Sequence, residues 1–201
     1  ARMRTVPVRV ALFRLGSLLA VLAPAAYSAA GTLEVSVVDE GGRPIEDVAV
    51  YATPAHPVDH TPGAHAGAVP KAVMDQEHMQ FVPHLLVVQT GTEVSFPNGD
   101  EVSHHVYSFS ETKPFELPLY KGDQAPPQLF DRLGVVVLGC NIHDGMLGYI
   151  VVVDTPNFAK TIEQGVALID DVPGGDYVLA AWTPRARPAA LPPSQQITVG
   201  E

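Results

Sequence analysis

The run "LGCNIHDGMLGYI", residues 138–150, holds the chain's single cysteine, Cys140, with His143 three residues on and Met146 three after that. Thiolate, imidazole and thioether are the soft and borderline donors that suit copper. Cys140 ends the apolar run "GVVVLGC" and Gly148 opens the next, "GYIVVVD". Residues 141–147 therefore read as a loop between two neighbouring strands. A loop that short forces Cys140, His143 and Met146 to converge. A trigonal site of two imidazoles and one thiolate with a long axial thioether needs one more histidine.

That histidine should arrive from another strand, because the loop is full. "FPNGDEVSHHVYSF", residues 96–109, turns at Asn98-Gly99-Asp100 and carries His104 and His105 just before an alternating run. Successive strand side chains face opposite sides, so only one of the pair can point inwards. Zinc competes for cysteine and histidine but has little use for a thioether. A Cys140–His143 nucleophilic dyad lacks an orienting third group, and its thiolate would be open to oxidation after export. With one cysteine and no His-x-His or His-Cys-His motif, the further centres of a multicopper oxidase or nitrite reductase have no ligands.

The elements that must position these donors read as β throughout. "HLLVVQT", "TEVSFPN", "HHVYSFS" and "FELPLY" are short runs separated by Gly, Pro, Asn or Asp, the pattern of a sandwich or barrel. "TLEVSVVDE" and "DVAVYATP" precede them, and "VALIDDVPGGDYVLAAWTP" and "SQQITVG" follow. Neither flank alone is long enough for a comfortable domain, and together they make a small sandwich with the middle part inserted. The boundaries so read are 31–54 plus 155–201 for the flanking sandwich, 55–70 for a linker and 71–154 for the inserted domain. His56, His60 and His65 lie in the Pro-, Gly- and Ala-rich linker and read as a solvated loop rather than a copper-catching tract. His78, Met79 and His84 read as incidental surface residues, and Trp182 as core packing of the flanking sandwich.

Residues 1–30 have the layout of an export signal: Arg2, Arg4, Arg9 and Arg14, then the apolar "LGSLLAVLAPAA", then small residues at "AYSAAGT". The apolar run is short of the roughly 20 residues of a membrane span. The full chain has 12 basic and 22 acidic residues, net −10; without the four leader arginines it is 8 against 22, net −14. Such a surface repels nucleic acid and anionic membranes and is steered towards basic partners. Export sharpens the question of Cys140, since a lone cysteine in an oxidising compartment is buried, intermolecular or a ligand.

"FVPHLLVVQTGTEVSFPN", "HHV" and "GCNIHDGM" resemble the cupredoxins, the blue copper proteins such as plastocyanin and amicyanin, across about residues 74–154. The resemblance implies an all-β Greek-key sandwich, one type 1 copper cycling between Cu(I) and Cu(II), and electron transfer rather than catalysis; a periplasmic copper-holding or delivery protein and a β-sandwich interaction module are the rival readings. It implies His104, Cys140, His143 and Met146 as ligands, with His105 and Val106 in the Asn and Val places of the family's His-Asn-Val triplet. Its partner would be a redox protein with a basic surface, of the c-type cytochrome or dehydrogenase class, and its compartment the bacterial periplasm. The whole chain is similar to methylamine-utilisation, plastocyanin-like proteins. "VVDEGGRPIEDVAVYATP" and "VPGGDYVLAAWTPR" resemble a carboxypeptidase-regulatory or prealbumin-like sandwich. Two departures stand out: His105 where the family has Asn, and Asp144-Gly145 where the amicyanin-like loop has apolar residues. An acid beside the exposed histidine favours Cu(II) and a more polar docking surface.

Overall fold

The structure, a computed structural model, describes residues 8–11, 30–56, 69–185 and 194–200. Among them there is no helix. In chain order the strands are β1 (Val8–Ala11), β2 (Gly31–Val37), β3 (Ala49–Pro54), β4 (Lys71–Val73), β5 (Asp75–Glu77), β6 (Gln80–Val82), β7 (Leu85–Gln89), β8 (Thr92–Ser95), β9 (His104–Ser108), β10 (Phe115–Tyr120), β11 (Gln128–Phe130), β12 (Gly134–Cys140), β13 (Leu147–Val153), β14 (Phe158–Lys160), β15 (Val166–Val172), β16 (Gly175–Trp182) and β17 (Ser194–Val199). They fall into two compact units, residues 1–58 with 157–201 and residues 59–156.

The outer unit is assembled from both ends of the chain. One sheet runs β1-β2-β15 and the other β14-β3-β16-β17. Strict alternation in β2 sends Leu33, Val35 and Val37 into a core shared with Val50, Ala52, Ile169 and Leu179. Thr161 ties this core's edge to the loop before β3, accepting from the Val48 amide at 3.0 Å and donating to the Ile45 carbonyl at 2.8 Å. Trp182 is half-buried. Of the segment read as an export signal, Val8–Ala11 is an extended strand against β2; residues 1–7 and 12–29 lie outside the described residues, as do His60 and His65 of the linker. His56 is exposed.

The inner unit has a five-stranded sheet, β10-β9-β12-β13-β7, a three-stranded sheet, β11-β8-β4, and the hairpin β5-β6. Met74, Phe96, Val106, Phe130, Val136, Leu138 and Ile150 fill the core between them. The strands that sequence alternation found are, apart from the four-residue β8, those of five residues or more. Those it missed (β1, β4, β5, β6, β11 and β14) are three or four residues long, too short to display a period.

Two local devices shape the end of this unit where Cys140 lies. The first is a bulge in the edge strand β10, whose pairing with β9 jumps from Leu117↔Val106 to Tyr120↔His104. One extra residue reverses the inside-outside parity. Leu119, which regular alternation would bury, is left 59% exposed, while Tyr120 turns inwards opposite His104. Pro118 sits within the bulge, on a strand whose edge position tolerates a missing N–H.

The second device is Gly148, against which Phe81 of the hairpin packs directly. A Cβ at Gly148 would stand 2.8 Å from the Phe81 Cβ and 2.9 Å from its ring. Gly148→Ala should therefore destabilise the fold by about 1–3 kcal/mol in denaturant unfolding, the usual cost of overpacking. An unchanged midpoint would show that Phe81 does not rest on this strand.

Candidate metal centre

The site grows from two neighbouring strands. In β9, His104, Val106 and Ser108 point inwards while His105 and Tyr107 point outwards. In β12, Val136, Leu138 and Cys140 point inwards. The antiparallel pairing sets Cys140 opposite Val106, and the Asn141 amide prolongs the ladder by donating to the His105 carbonyl at 3.1 Å. The inward ring of β9 nearest Cys140 is thus His104. The following loop is drawn tight where the Met146 amide donates to the His143 carbonyl at 2.9 Å.

Three donor atoms meet there. Cys140 Sγ lies 3.7 Å from His104 Nδ1 and 3.8 Å from His143 Nδ1, and all three atoms lie within 4.8 Å of one another. The two imidazoles meet edge-on, with centroids 4.9 Å apart. His104 is fully buried and Cys140 nearly so, whereas His143 is partly exposed. Met146, at the end of the same loop, is buried in the same core as Cys140. Asn141, Asp144 and Gly145 are exposed, and Ile142 presents an apolar side chain at 48% exposure.

The spacing fits a metal ion. With bonds of about 2.3 Å to sulfur and about 2.0–2.1 Å to nitrogen, donors arranged around one ion stand roughly 3.5–3.8 Å apart, from tetrahedral to trigonal. The observed sulfur–nitrogen distances, 3.7 and 3.8 Å, match that range, and the two imidazole nitrogens lie within 4.8 Å of each other. Two imidazole nitrogens and a thiolate, with Met146 buried in the same core, form a donor set that suits copper.

His105, the other histidine of the pair, turns away and places Nε2 2.7 Å from the exposed Glu116 carboxylate. His78 and Met79, read as incidental, occupy the turn between β5 and β6, and their amides donate to the two oxygens of Asp100 at 2.6 and 2.8 Å. His84 packs its ring edge-on against Tyr149, centroids 5.4 Å apart.

Sequence reasoning treated Asn98-Gly99-Asp100 only as a turn; the structure makes it the frame of His104. His104 Nε2 lies 2.8 Å from Asp100 Oδ2. Burial by itself would raise the Asp100 carboxyl, but the Met79 amide, His104 and the His78 amide together outweigh it and hold the group below its ordinary value. An ionised carboxylate only accepts, so this contact is a hydrogen bond when Nε2 carries the hydrogen; the other ring nitrogen, Nδ1, is the one that faces Cys140. Asn98, also buried, donates to the carbonyls of Val102 and Tyr120, both at 2.9 Å, and its Oδ1 accepts from the Asp100 amide at 3.0 Å. The signal available in the sequence was a polar turn residue four positions before a buried histidine.

Below this frame, Gln76 donates to the Pro97 carbonyl at 2.8 Å and to the Tyr120 hydroxyl, which itself donates to the Phe96 carbonyl at 2.7 Å. Burial pushes the Tyr120 phenol up to about 12, against the opposing effect of the Gln76 hydrogen bond and with Asp75 and Cys140 adding to the rise.

No family model matches the chain, and no curated protein matches it. Among solved structures, an oxidised amicyanin variant is 25% identical over 44% of this chain and 87% of its own, with a TM-score of 0.39. A reduced amicyanin variant is 22% identical over 52% and 98%, at 0.39. A purple cupredoxin from Nitrosopumilus maritimus is 21% identical over 42% and 99%, at 0.36.

Replacing Tyr120 with Phe removes a phenol that both donates and accepts, and should cost about 1–3 kcal/mol in denaturant unfolding. The phenol is raised in the folded state from 10.0 to about 12. Its contribution is therefore full below about pH 10 and is lost as pH rises through about 12. The variant should lose stability less steeply than the parent across that alkaline interval. Equal slopes would mean that Tyr120 is not held neutral by the fold.

Proposed function

We propose that the inner unit is a mononuclear copper centre that carries single electrons between redox proteins. The observation that carries this reading is the convergence of His104 Nδ1, Cys140 Sγ and His143 Nδ1 at metal-bridging distances. In this reading His104, Cys140 and His143 would hold the copper, and Met146 would be a fourth, weaker donor that tunes the potential. Copper, when bound, would supply a reversible Cu(II)/Cu(I) couple.

The chain's own residues do the rest. The Cys140 thiolate would be the strongest of the donors. His104, sealed in the core, keeps water from one side, and the rigid pairing of β9 with β12 holds nearly the same donor positions in both oxidation states. His143, partly exposed at the protein's surface, is the edge through which electrons pass. Asp144 beside it and the chain's net charge of −10 favour a partner with a basic surface, of the c-type cytochrome or dehydrogenase class. The deep burial of His104 and Cys140 supports retention of the metal and electron carriage over copper delivery.

The same reading makes the protein an exported, periplasmic carrier of the methylamine-utilisation, plastocyanin-like type, its outer unit a carboxypeptidase-regulatory-like sandwich. No helix among the described residues is long and apolar enough to cross a membrane.

Adding Cu(II) to the metal-free protein should produce an intense thiolate-to-copper band in the visible spectrum at one equivalent. Cys140→Ser should abolish it and His104→Ala should bleach or strongly shift it, while His105→Ala should leave it in place. A colourless protein that takes one Zn(II) instead would sink the electron-transfer reading, and loss of colour in His105→Ala alone would reverse the histidine assignment.

A further inference from the structure

The turn between β5 and β6 is built in an unusual way. His78 and Met79 are its two central residues, and both have left-handed backbone, φ 54° and 57°. A two-residue hairpin of this kind ordinarily takes Asn-Gly or a similar pair, because side chains other than Gly, Asn and Asp are strained at positive φ. Strain of about 1–2 kcal/mol per residue persists only where the surroundings over-determine it, and it is a pointer to function.

Here the surroundings are a single carboxylate. The conformation turns the His78 and Met79 amides towards the same side, a nest that binds an anion. The anion is Asp100, through Oδ1 to His78 at 2.6 Å and Oδ2 to Met79 at 2.8 Å. Oδ2 is also the atom 2.8 Å from His104 Nε2. The Gly99 amide donates to the Gln76 carbonyl at 3.0 Å, tying the loop to the same hairpin. Among the contacts of the described residues, Asp100 is the carboxylate that stands beside the buried ring of His104, on the side away from Cys140 and its Nδ1 contact. The strained turn thus clamps the one carboxylate that touches that ring.

We propose that Asp100 is a positioning residue of the metal centre. Held in the His78–Met79 nest, it fixes His104 as the Nε2–H tautomer with Nδ1 presented to the metal, and its charge makes that imidazole a stronger donor. A stronger donor favours the higher oxidation state, so Asp100 holds the reduction potential down. Outer partners of this kind change metal affinity or activity by about 10–100-fold when removed.

The inference rests on the copper reading above, and the measurements separate the two. In the metal-free protein, nitrogen-15 NMR of the histidine rings should show His104 as the Nε2–H tautomer with a proton slow to exchange. A Nδ1–H tautomer in the unaltered protein would overturn the inference without any variant having to fold. Asp100→Asn should release that tautomer and its exchange protection and weaken Cu(II) binding by about 10–100-fold while affecting Cu(I) less. A tenfold loss confined to Cu(II) would raise the potential by about 59 mV. Glu101→Gln removes the same charge one residue away and should leave tautomer, affinity and potential unchanged; shifts as large as those of Asp100→Asn would reduce the effect to overall charge. If the unaltered protein takes Zn(II) without colour, the copper reading fails, and the tautomer and Zn(II) affinity of Asp100→Asn still decide the role of Asp100. If the unaltered protein is coloured and Asp100→Asn matches it in all three measurements, the role of Asp100 fails and the copper reading stands.

Discussion

The register between β9 and β12 is the constraint on which the rest of the site depends. Cys140 stands opposite Val106, so the inward side chain two residues earlier in β9, His104, comes beside the thiol. A strand's side chains alternate with period two, so a slip of one residue would bury His105 and expel His104. That register is secured by apolar burial along both strands, with Val106, Val136 and Leu138 all in the core. The donor geometry is thus held by hydrophobic packing that does not touch the donors.

Around this pair the polar contacts form a graded shell. His104 is wholly enclosed and needs a partner for the ring nitrogen that does not face the thiol, since an unpaired buried polar atom costs about 1–3 kcal/mol. Asp100 supplies it. Asp100 needs donors in turn, and the β5-β6 turn supplies them, while Asn98 Oδ1 accepts from the Asp100 amide and steadies the loop. Each member is satisfied by the next until the chain reaches solvent at the hairpin. The bulge in β10 serves the same end of the unit, because only a break of parity could bring Tyr120 under the loop that carries Asp100.

The two imidazoles differ in their surroundings, an asymmetry that the proposed electron-carrying role would use. One ring is locked in the core by a carboxylate and a strained turn, and the other sits on a short loop partly open to solvent. A buried, satisfied ring resists rearrangement when the metal's charge changes. A ring at the surface shortens the distance to an approaching partner. Residues 141–147 combine tight closure with exposed Ile142, Asp144 and Gly145, so the surface around His143 is set by residues other than the three donors.

Local order was enough to read much of this from the chain. The apolar runs ending at Cys140 and beginning at Gly148 reveal a loop; the loop's brevity brings Cys140, His143 and Met146 near one another; and alternation says that only one of His104 and His105 turns inwards. Those are short-range facts, governed by strand period and loop length. Which histidine turns in, and what it meets there, was beyond them, because register between strands separated by tens of residues is decided by packing of the whole core. Asp100 was invisible for the same reason: an aspartate in a turn is ordinary until a distant hairpin offers it two amides and a buried ring offers it a third hydrogen bond. The short strands β5 and β6 were missed because three residues show no period, yet tertiary contact gives them the task of holding the carboxylate behind His104.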